Sequence, residues 1–419
     1  MPGTLNVSLL ADLEARGLIQ DTTDREALAA RLAEGPITLY YGTDPTADSM
    51  HVGNLIGVLM LRRFADTGHV PIALAGGATG MIGDPSGKSD ERNLLDDASL
   101  AANVAGIGGQ LERIAGVELV DNGEWTKPMS FLEFLRDVGK HVTVNQMVAK
   151  ESVKARMEGE SGISFTEFSY MLIQAHDYLH LHRARGVDLQ IGGSDQWGNI
   201  TLGADLIRKV TGDHVHALTW PLLLRSDGRK FGKSEAGNVW LGAHRTSPYQ
   251  FFQYWMQLPD ADIERFLLQL TLLRVEEAKS VAASHAEAPH QREGQRRLAR
   301  EVTTLVHGAD AARDAEAASA ILFGGDPRDA SAESLAFVAD EVPTTTVERG
   351  RLHEGVDLVD LLVEAGVFKS KGEARRTLNG VAVNSERVDE GRTVTAADLL
   401  HDRWVLLRKG KTYHLVEVR

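Results

Sequence analysis

The chain has 419 residues, of which 43% are hydrophobic and 25% charged, and this apolar content suffices for roughly two to four folded domains. It contains no cysteine, which excludes disulfides, thiolate nucleophiles and cysteine-ligated metal centres. A formal net charge of -14 argues against general, charge-driven binding to nucleic acid, because such binding neutralises phosphates with Lys and Arg. Local basic surfaces stay compatible with that charge.

The sequence shows no sign of a membrane segment or a secretion signal. No run approaches the roughly 18 consecutive apolar residues of a membrane span. Residues 1–20 lack the basic start and apolar core of a secretion signal. We therefore expect no membrane partner and a cytoplasmic location.

The N-terminal half alternates short β-like runs with helical patterns, which predicts βαβ units around a parallel sheet. A helix is predicted over residues 52–68, with Asp48 or Ser49 as its cap, and a helical insertion in the sheet at about 125–182. Four strands are predicted, at residues 37–42, 71–75, 187–191 and 217–224.

In the second half of the chain the residue pattern changes twice. From residue 246 to about 323 the pattern is helical and rich in Ala, Leu, Glu and Arg, whereas a polar stretch around Pro343 has no strong periodicity. A helix and a hairpin at 404–418 follow. The expected fold is α/β: a Rossmann-like parallel-sheet domain with its helical insertion at 1–245, an all-α domain at 246–339, a linker at 340–355 and a small α+β domain at 356–419.

A glycine-rich stretch at residues 76–89 invites comparison with a Walker phosphate loop. The comparison fails because Ile82 stands where that loop requires Gly four residues before Gly87-Lys88-Ser89. The stretch is equally compatible with a glycine-permitted turn after a strand and with a functional loop. Asp84 is its candidate functional residue.

Two short signatures indicate a nucleotide site. The first, His51-Val52-Gly53-Asn54, lies at the start of the predicted helix, where free N–H groups favour phosphate and Gly53 permits close approach. The second, Lys230-Phe231-Gly232-Lys233-Ser234, could close over a triphosphate. Each alone is also compatible with an ordinary helix start or a solvated turn. Together, at the end of the first strand and after the last, they predict ATP as a substrate.

In this order the signatures resemble the HIGH and KMSKS motifs of class I aminoacyl-tRNA synthetases. The segment Tyr40-Tyr41-Gly42-Thr43-Asp44-Pro45-Thr46 narrows the resemblance to bacterial tyrosyl-tRNA synthetases, as do residues 80–87, 162–170 and 190–199. From about Val356 onward the chain resembles the S4 RNA-binding domain at the C-terminus of such enzymes. The resemblance therefore covers essentially the whole chain.

Several positions depart from the family's usual pattern. The KMSKS motif is Lys230-Phe231-Gly232-Lys233-Ser234 here, a variant that fits the tyrosyl branch. The second His of HIGH is Asn54, so a donor to phosphate becomes an uncharged amide. Tyr41 and Thr43 stand where the family usually has a smaller residue and an aromatic one, which leaves the ribose contact near Tyr41 open.

The resemblance implies a set of tyrosine-binding residues. Tyr40 and Asp177 would face the phenol, and a site built to bond a hydroxyl excludes phenylalanine. Tyr170, Gln174 and Asp177 are spaced to share one helical face. The implied contacts to the amino group are Asp84, Tyr170 and Gln174, and Asp195 and Gln196 would meet the ribose and the reacting carboxylate.

The implied reaction is attack by the tyrosine carboxylate on the α-phosphorus of ATP, followed by transfer of tyrosine to the terminal adenosine of tRNA(Tyr). Magnesium would arrive with ATP, and no protein-bound structural metal is expected. The residues assigned to ATP binding are Gly42, Asp44, His51, Gly53, Gly192, Asp195 and Lys233. Those assigned to catalysis are Thr46, His51, Asn54, Lys88, Arg92, Lys230, Lys233 and Ser234.

The resemblance also implies a homodimer and an RNA surface. Basic residues cluster in the S4-like region, where they could form a solvated face or contact tRNA, namely Lys369, Lys371, Arg375 and Arg376. Two alternative hypotheses are a sibling synthetase for tryptophan and a non-catalytic RNA-binding protein. Tyr40 and Asp177 count against the first, and the presence of His51, Lys230 and Lys233 counts against the second.

Overall fold

The computed structural model describes residues 6–86, 96–159, 162–228, 231–234, 237–389 and 391–419. In those ranges no helix is both long and apolar enough to cross a membrane. The chain forms two compact units, one of residues 1–246 with 257–298 and the other of residues 247–256 with 299–419. The helices expected as one domain at 246–339 are therefore divided between the two units.

Residues 6–246 contain the strands of the main sheet and the helices that connect them. The strands are β1 (Asp21–Thr22), β2 (Thr38–Thr43), β3 (Val70–Ala75), β4 (Glu118–Asp121), β5 (Val187–Gly193), β6 (His216–Trp220), β7 (Lys233–Ser234) and β8 (Gly237–Asn238). The α-helices are α1 (Asn6–Ala15), α2 (Arg25–Glu34), α3 (Leu55–Asp66), α4 (Asp97–Ala115), α5 (Gly123–Thr126), α6 (Phe131–Asp137), α7 (Val144–Val148), α8 (Glu151–Met157), α9 (Phe165–Arg185) and α10 (Trp197–Thr211).

The main sheet has the order β1-β6-β5-β2-β3-β4, and only β1 runs antiparallel to its neighbour. The chain proceeds from β2 through β3 to β4 on one side and then returns to place β5 on the other side of β2. This reversal is a topological switch point, and the crevice at the carboxyl ends of the strands there is where open α/β sheets bind ligands. The predicted parallel sheet is confirmed.

Two details of this unit differ from the sequence prediction. The last predicted strand ends at Trp220 because Pro221 has no N–H for the ladder. Strand β4 was not predicted, since its four residues carry too little pattern.

The start of α3 also differs from the prediction. A 3₁₀ turn, Val52–Asn54, precedes the helix and is capped by His51 rather than by Asp48 or Ser49. Ser49 instead accepts a hydrogen bond from the Gly242 N–H, and Asp48 pairs with Arg245.

Six helices follow the sheet. They are α11 (Pro248–Met256), α12 (Ile263–Leu270), α13 (Val275–Glu287), α14 (Glu293–His307), α15 (Ala309–Leu322) and α16 (Ala332–Glu341). Helices α11, α15 and α16 belong to the second unit and α12 and α13 to the first. The predicted change to helical structure after residue 246 is confirmed.

The C-terminal part of the second unit combines strands and short helices. Its elements are β9 (Thr344–Val347), α17 (Arg349–Glu354), β10 (Val356–Asp357), α18 (Leu358–Glu364), α19 (Lys371–Arg376), β11 (Val381–Val383), β12 (Glu386–Arg387), β13 (Thr393–Val394), β14 (Trp404–Lys409) and β15 (Thr412–Val418). Five of these strands form one sheet in the order β12-β11-β14-β15-β9, and β10 pairs with β13.

The expectation of a linker at 340–355 is wrong as a statement of local structure. Strand β9 pairs in parallel with β15, so its backbone groups are bonded rather than solvated. Val347 and Leu352 are 2% and 0% exposed and belong to the apolar core of this part of the chain. The three threonines at 344–346 were assigned to the predicted linker because their partner strand lies some 70 residues later in the sequence, where short-range pattern gives no information.

Candidate active site

Two adjoining cavities open at the carboxyl ends of the parallel strands. The larger has a volume of ≈ 290 Å³, and it follows the ends of β2, β5 and β6 and the start of α3. The smaller extends from it towards α9 and β3. Five residues line both cavities: Gly42, Thr43, Asp44, Tyr170 and Gln196. The crevice at the switch point is therefore divided into two connected compartments.

The two sequence signatures meet beside the larger cavity. A side chain built on Gly232 would lie 3.2 Å from Val52 Cγ2 and 3.5 Å from the Gly53 nitrogen. The Val52 N–H donates to Val239 and the Val239 N–H donates to Gly232, so backbone hydrogen bonds join both segments. Gly232 has φ +80°, a conformation that favours glycine. Backbone pairing thus brings together two motifs that are about 180 residues apart.

His51 is fixed in one orientation at this junction. Its Nδ1 accepts a hydrogen bond from the Gly53 N–H at 3.0 Å, which leaves Nε2 to carry the hydrogen of the neutral ring. A Cβ at position 53 would lie 2.7 Å from His51 Cε1, so glycine is required for this ring position. Burial lowers the pKa of His51, and nearby Lys233 lowers it further. The ring is therefore a neutral hydrogen-bond donor at neutral pH.

Asp177 lines the smaller cavity and is 1% exposed. Its carboxylate accepts hydrogen bonds from Asn122 Nδ2 at 2.9 Å and from Trp125 Nε1 at 2.8 Å. The pKa of Asp177 is raised to about 7, mainly by burial, which outweighs the opposing hydrogen bonds from Asn122 and Trp125, with smaller contributions from the charges of Asp44 and Asp121. A buried carboxylate with two fixed donors is oriented to accept one more hydrogen bond from inside the cavity.

Tyr40 lies on the same cavity wall with its hydroxyl unpaired. The side chain is 0% exposed, and its Oη has no hydrogen-bond partner among the described residues. The same is true of Gln190 Oε1, which also lines the cavity. Burial and the charge of Asp177 raise the pKa of Tyr40, so its hydroxyl keeps its hydrogen. Such unsatisfied buried groups are costly unless a ligand pairs with them.

A hydrogen-bond network connects the smaller cavity to the junction with the larger one. Asn122 donates to Thr79 Oγ1 at 3.1 Å as well as to Asp177, and Thr79 donates to Asp44 at 2.9 Å. The hydroxyl of Tyr170 donates to the other oxygen of Asp44 at 3.1 Å. Asp44 is thereby held where the two cavities meet.

A second set of polar side chains lies on the opposite side of that junction. Gln196 Nε2 donates to Asp84 at 2.6 Å, and Gln174 Nε2 donates to Gln196 Oε1 at 3.3 Å. Asn199 donates to Gln174 Oε1 at 3.0 Å and so orients that amide. Asp84 and Asp44 therefore place two carboxylates where a cationic group of a ligand could bind.

Most of the predicted site residues lie around these cavities. Tyr40, Gln174 and Asp177 line the smaller one, and Gly42, Asp44, Tyr170 and Gln196 line both. Thr46, His51, Gly53, Asn54, Asp84 and Asp195 line the larger one.

Six predicted residues are placed differently or are not described. Gly192 is not among the lining residues, because it packs against Ile200 of α10, whereas Gly193 lines the larger cavity. Lys233 is exposed, and its backbone pairs with Asn238. Lys88, Arg92 and Lys230 lie outside the described residues, as does the side chain of Ser234.

Sequence reasoning missed Thr79, Asn122, Trp125 and Gln190. Asn122 directly follows β4, a strand too short to predict, and it reaches the cavity only because β4 pairs with β3. Gln190 lies within β5, directly beside Tyr40 of β2. Its position in a buried strand was the only available signal, since a polar side chain there requires a partner.

The described residues contain no group of three or more His, Asp and Glu side chains arranged to hold a metal ion. In the second unit, the basic residues Lys369, Lys371, Arg375 and Arg376 are all exposed. Lys371 forms an ion pair with Asp360 at 2.7 Å, which reduces the local positive charge.

The sequence matches two known protein families. Residues 32–324 match the family described as tRNA synthetases class I (W and Y). Residues 334–416 match the C-terminal domain described as tyrosine–tRNA ligase SYY-like.

Relatives of nearly equal length support the same assignment. The tyrosine–tRNA ligase of Opitutus terrae is 52% identical over 98% of this chain and 100% of its own length. That of Anaeromyxobacter dehalogenans is 50% identical with the same coverage.

Solved structures share the fold. A C-terminally truncated mitochondrial tyrosyl-tRNA synthetase from Aspergillus nidulans matches with a TM-score of 0.69 and 30% identity over 75% of this chain and 94% of its own. A tryptophanyl-tRNA synthetase from Encephalitozoon cuniculi matches with a TM-score of 0.57 over 74% of this chain and 91% of its own, and at 14% identity it shows the fold alone. With the family match over residues 32–324 and relatives about half identical along the whole length, the chain belongs to the tyrosine–tRNA ligases, which are class I aminoacyl-tRNA synthetases.

Proposed function

We propose that this ligase binds tyrosine in the smaller cavity and ATP in the larger one, and that tyrosyl-adenylate forms where they join. The observation that carries the proposal is the pair of Tyr40 and Asp177. A buried, unpaired hydroxyl and a buried carboxylate line the same cavity. A phenol can bond to both, because it donates to Asp177 and accepts from Tyr40.

The alternative amino acids fit this compartment less well. Phenylalanine offers no polar group to either residue and would leave both unpaired. The indole of tryptophan has a single donor and no acceptor for the Tyr40 hydroxyl. The ammonium group of tyrosine would lie between Asp44, Asp84 and the polar side chains of Tyr170 and Gln174. We therefore disfavour a tryptophan-specific enzyme.

In the first step the tyrosine carboxylate attacks the α-phosphorus of ATP, and pyrophosphate leaves. The carboxylate is already ionised at neutral pH, so the protein need only align the reactants and stabilise the charge on the phosphate. His51 supplies a neutral donor, Asn54 an amide, and Lys233 a positive charge from the adjoining strand. The substrate is ATP with Mg²⁺, whose charge balances the triphosphate.

In the second step a ribose hydroxyl of the terminal tRNA adenosine attacks the carbonyl carbon of the adenylate and AMP leaves. We propose that the exposed basic residues around α19 contact the tRNA backbone, with Lys371 contributing least because it is paired. We also propose a cytoplasmic location, where tRNA, ATP and tyrosine occur together.

Removal of the Tyr40 hydroxyl tests the phenol-binding compartment. In Tyr40→Phe, tyrosine loses one hydrogen bond and phenylalanine loses none. We expect kcat/KM for tyrosine in pyrophosphate exchange to fall about tenfold, with a smaller change for phenylalanine.

The matched control is Tyr178→Phe. Tyr178 contacts the Tyr40 ring, but its hydroxyl donates to the His216 carbonyl at 2.7 Å and does not line the cavity. This variant should lose stability without changing the ratio of tyrosine to phenylalanine activation. An equal ratio in wild type and Tyr40→Phe, or exchange supported by tryptophan, would contradict the proposed compartment.

The raised pKa of Asp177 predicts pH-dependent binding of tyrosine. Because this pKa is about 7, the carboxylate that accepts the phenol hydrogen is progressively protonated as the pH falls through 7. The association constant for tyrosine alone, measured by calorimetry, should therefore decrease below pH 7 and approach about a tenfold loss per pH unit. Burial lowers the pKa of His51, so protonation of this ring is shifted to lower pH than for an ordinary histidine. A flat profile between pH 5.5 and 8 would show that Asp177 does not bind the phenol in its ionised form.

Replacement of Lys233 tests the role of the second signature. In Lys233→Ala, the transition state loses a positive charge near His51, and kcat for exchange should fall about 10²–10³-fold, while the affinity for tyrosine is retained. Lys127→Ala provides a control, since Lys127 is an exposed lysine paired with Asp97. A kcat within twofold of wild type would remove Lys233 from the proposed mechanism.

We further propose that the enzyme is a homodimer that pairs through the helical insertion. Six large hydrophobic residues between positions 131 and 165 are exposed: Phe131, Leu132, Leu135, Val144, Met157 and Phe165. This concentration in one short segment is typical of a surface that a partner covers.

Sedimentation velocity tests the dimer. Wild type should sediment with about twice the 45.6 kDa mass of the chain. Leu132→Asp, which places a charge at a position that is 76% exposed, should shift the protein to monomer. Phe323→Asp is the control, because Phe323 is 81% exposed but lies in the other unit. A monomeric wild type, or dissociation by both variants alike, would overturn this assignment.

A further inference from the structure

Helix α12 is hydrogen-bonded to the segments that carry both signatures. It lies in the same unit as the main sheet. Its first turn contacts residues 224–226, which precede the second signature, and its carboxyl end contacts α3, which follows the first. Among the described residues, none from this helix lines either cavity. Any influence of α12 on the reaction must therefore pass through the signatures.

Asp262, directly before α12, makes the contact at the start of the helix. It is 2% exposed, and its carboxylate accepts hydrogen bonds from the Ser226 N–H at 3.0 Å, from the Ser226 hydroxyl at 3.0 Å and from Arg265 at 2.5 Å. An Asp at this position ordinarily caps its own helix. The Asp262 side chain makes no such capping bond. A buried carboxylate is costly unless it is paired, and the backbone group that pairs with this one belongs to Ser226.

Two neighbouring side chains of α12 extend this contact. Arg265 also donates to the Leu224 carbonyl, and its guanidinium lies 4.7 Å from the ring centroid of Phe266. Phe266 is 0% exposed, and its ring centroid is 5.0 Å from that of Phe231, the second residue of the signature. The first turns of α12 therefore hold both the segment before the second signature and a ring within it.

Two buried arginines hold the carboxyl end of α12. Arg63 of α3 donates to the Thr271 carbonyl at 2.6 Å. Arg16 donates to the carbonyls of Leu268 at 2.9 Å and of Leu273 at 2.7 Å. The last carbonyls of a helix lack partners within the helix and carry partial negative charge, so cations stabilise this end. Through Arg63, α12 is fixed to the helix that begins at the first signature.

We propose that α12 supports the second signature, with Asp262 and Phe266 as positioning residues that hold Lys233 beside the first signature. Asp262 fixes the backbone at Ser226, and Phe266 packs against Phe231, two residues before Lys233. Because the other end of α12 is fixed to α3, the helix sets the distance between the two signatures together with the backbone bonds that join them. This inference rests on the proposed function, since it assigns Lys233 to the transition state.

Removal of the Asp262 carboxylate tests this role in pyrophosphate exchange. In Asp262→Ala, residues 224–226 lose bonds to α12 and Lys233 is held less precisely, so kcat should fall about tenfold. KM for tyrosine should not change, because Asp262 does not line the smaller cavity. Ser226→Ala removes one of the bonds and leaves α12 intact, so its kcat should fall about threefold.

The matched control is Asp260→Ala. Asp260 lies in the same turn as Asp262, but its carboxylate contacts His285 Nε2 at 3.1 Å and accepts from Gln295 Nε2 at 2.6 Å, which belong to α13 and α14. This variant should lose thermal stability and keep the wild-type kcat. If a loss of stability were enough to slow exchange, the control would be slowed as well.

A double-mutant cycle shows whether Asp262 acts through the second signature. In a Lys233→Ala background, Asp262→Ala should change kcat by less than about twofold, because the charge that it positions is absent. A merely structural role for Asp262 would give the same loss in both backgrounds. If Asp262→Ala does not fold, Ser226→Ala takes its place in the cycle.

The outcomes separate this inference from the proposed function. If wild type shows no tyrosine-dependent exchange, the proposed function fails. If wild type is active but Asp262→Ala, or Ser226→Ala in its place, keeps the wild-type kcat, only the inference is overturned. The same holds if the substitution has an equal effect in both backgrounds or if Asp260→Ala slows exchange to the same extent.

Discussion

Parallel pairing of β2 with β3 on one side and β5 on the other is the constraint on which the site depends. Each strand delivers its following residues to the same edge of the sheet. Strand β2 is followed by Asp44, β3 by Thr79 and Asp84, and β5 by Asp195 and Gln196. Successive strands are added on one side of β2 and then on the other, so a crevice opens there. We propose that the start of α3 binds the phosphates in this crevice. The ligand compartments are a consequence of strand order.

In the proposed function, selectivity for tyrosine rests on an energetic cost inside the fold. Asp177 is buried with a pKa of about 7, and Tyr40 has no partner for its hydroxyl. Both features are unfavourable in the empty protein, and a phenol satisfies both at once. Asn122 and Trp125 limit the cost by holding the carboxylate in one orientation. Selectivity therefore comes from groups that only the correct substrate pairs.

Around the larger cavity, where we propose that ATP binds, glycines allow neighbouring groups to pack closely. Gly53 admits the His51 ring, Gly232 allows the second signature to approach Val52, and Gly57 makes room for Tyr41. In each case glycine lets a functional group occupy the space of a Cβ. In the proposed mechanism, His51 is neutral and Asn54 is an uncharged amide, so the positive charge at the triphosphate comes from Lys233 and from the Mg²⁺ that accompanies ATP.

The sequence alone determined the fold class and the chemistry. Alternating strand and helix patterns predicted the parallel sheet, and long matching runs around His51, Tyr170 and Asp195 identified the family. Patterns of neighbouring residues carry such information because strands and helices impose periods of two and 3.6. The order of the signatures along the chain was sufficient to predict an ATP site.

Only the tertiary structure decided which residues touch. Asn122 and Thr79 follow different strands, and their bonds to Asp177 and Asp44 exist only after the strands pair. Strand β9 was taken for a linker because its partner β15 lies far along the chain. The Tyr41 ring of β2 occupies the space that a side chain at Gly57 of α3 would take. Contacts of this kind depend on distances across the sheet, and no short-range pattern in a single sequence records them.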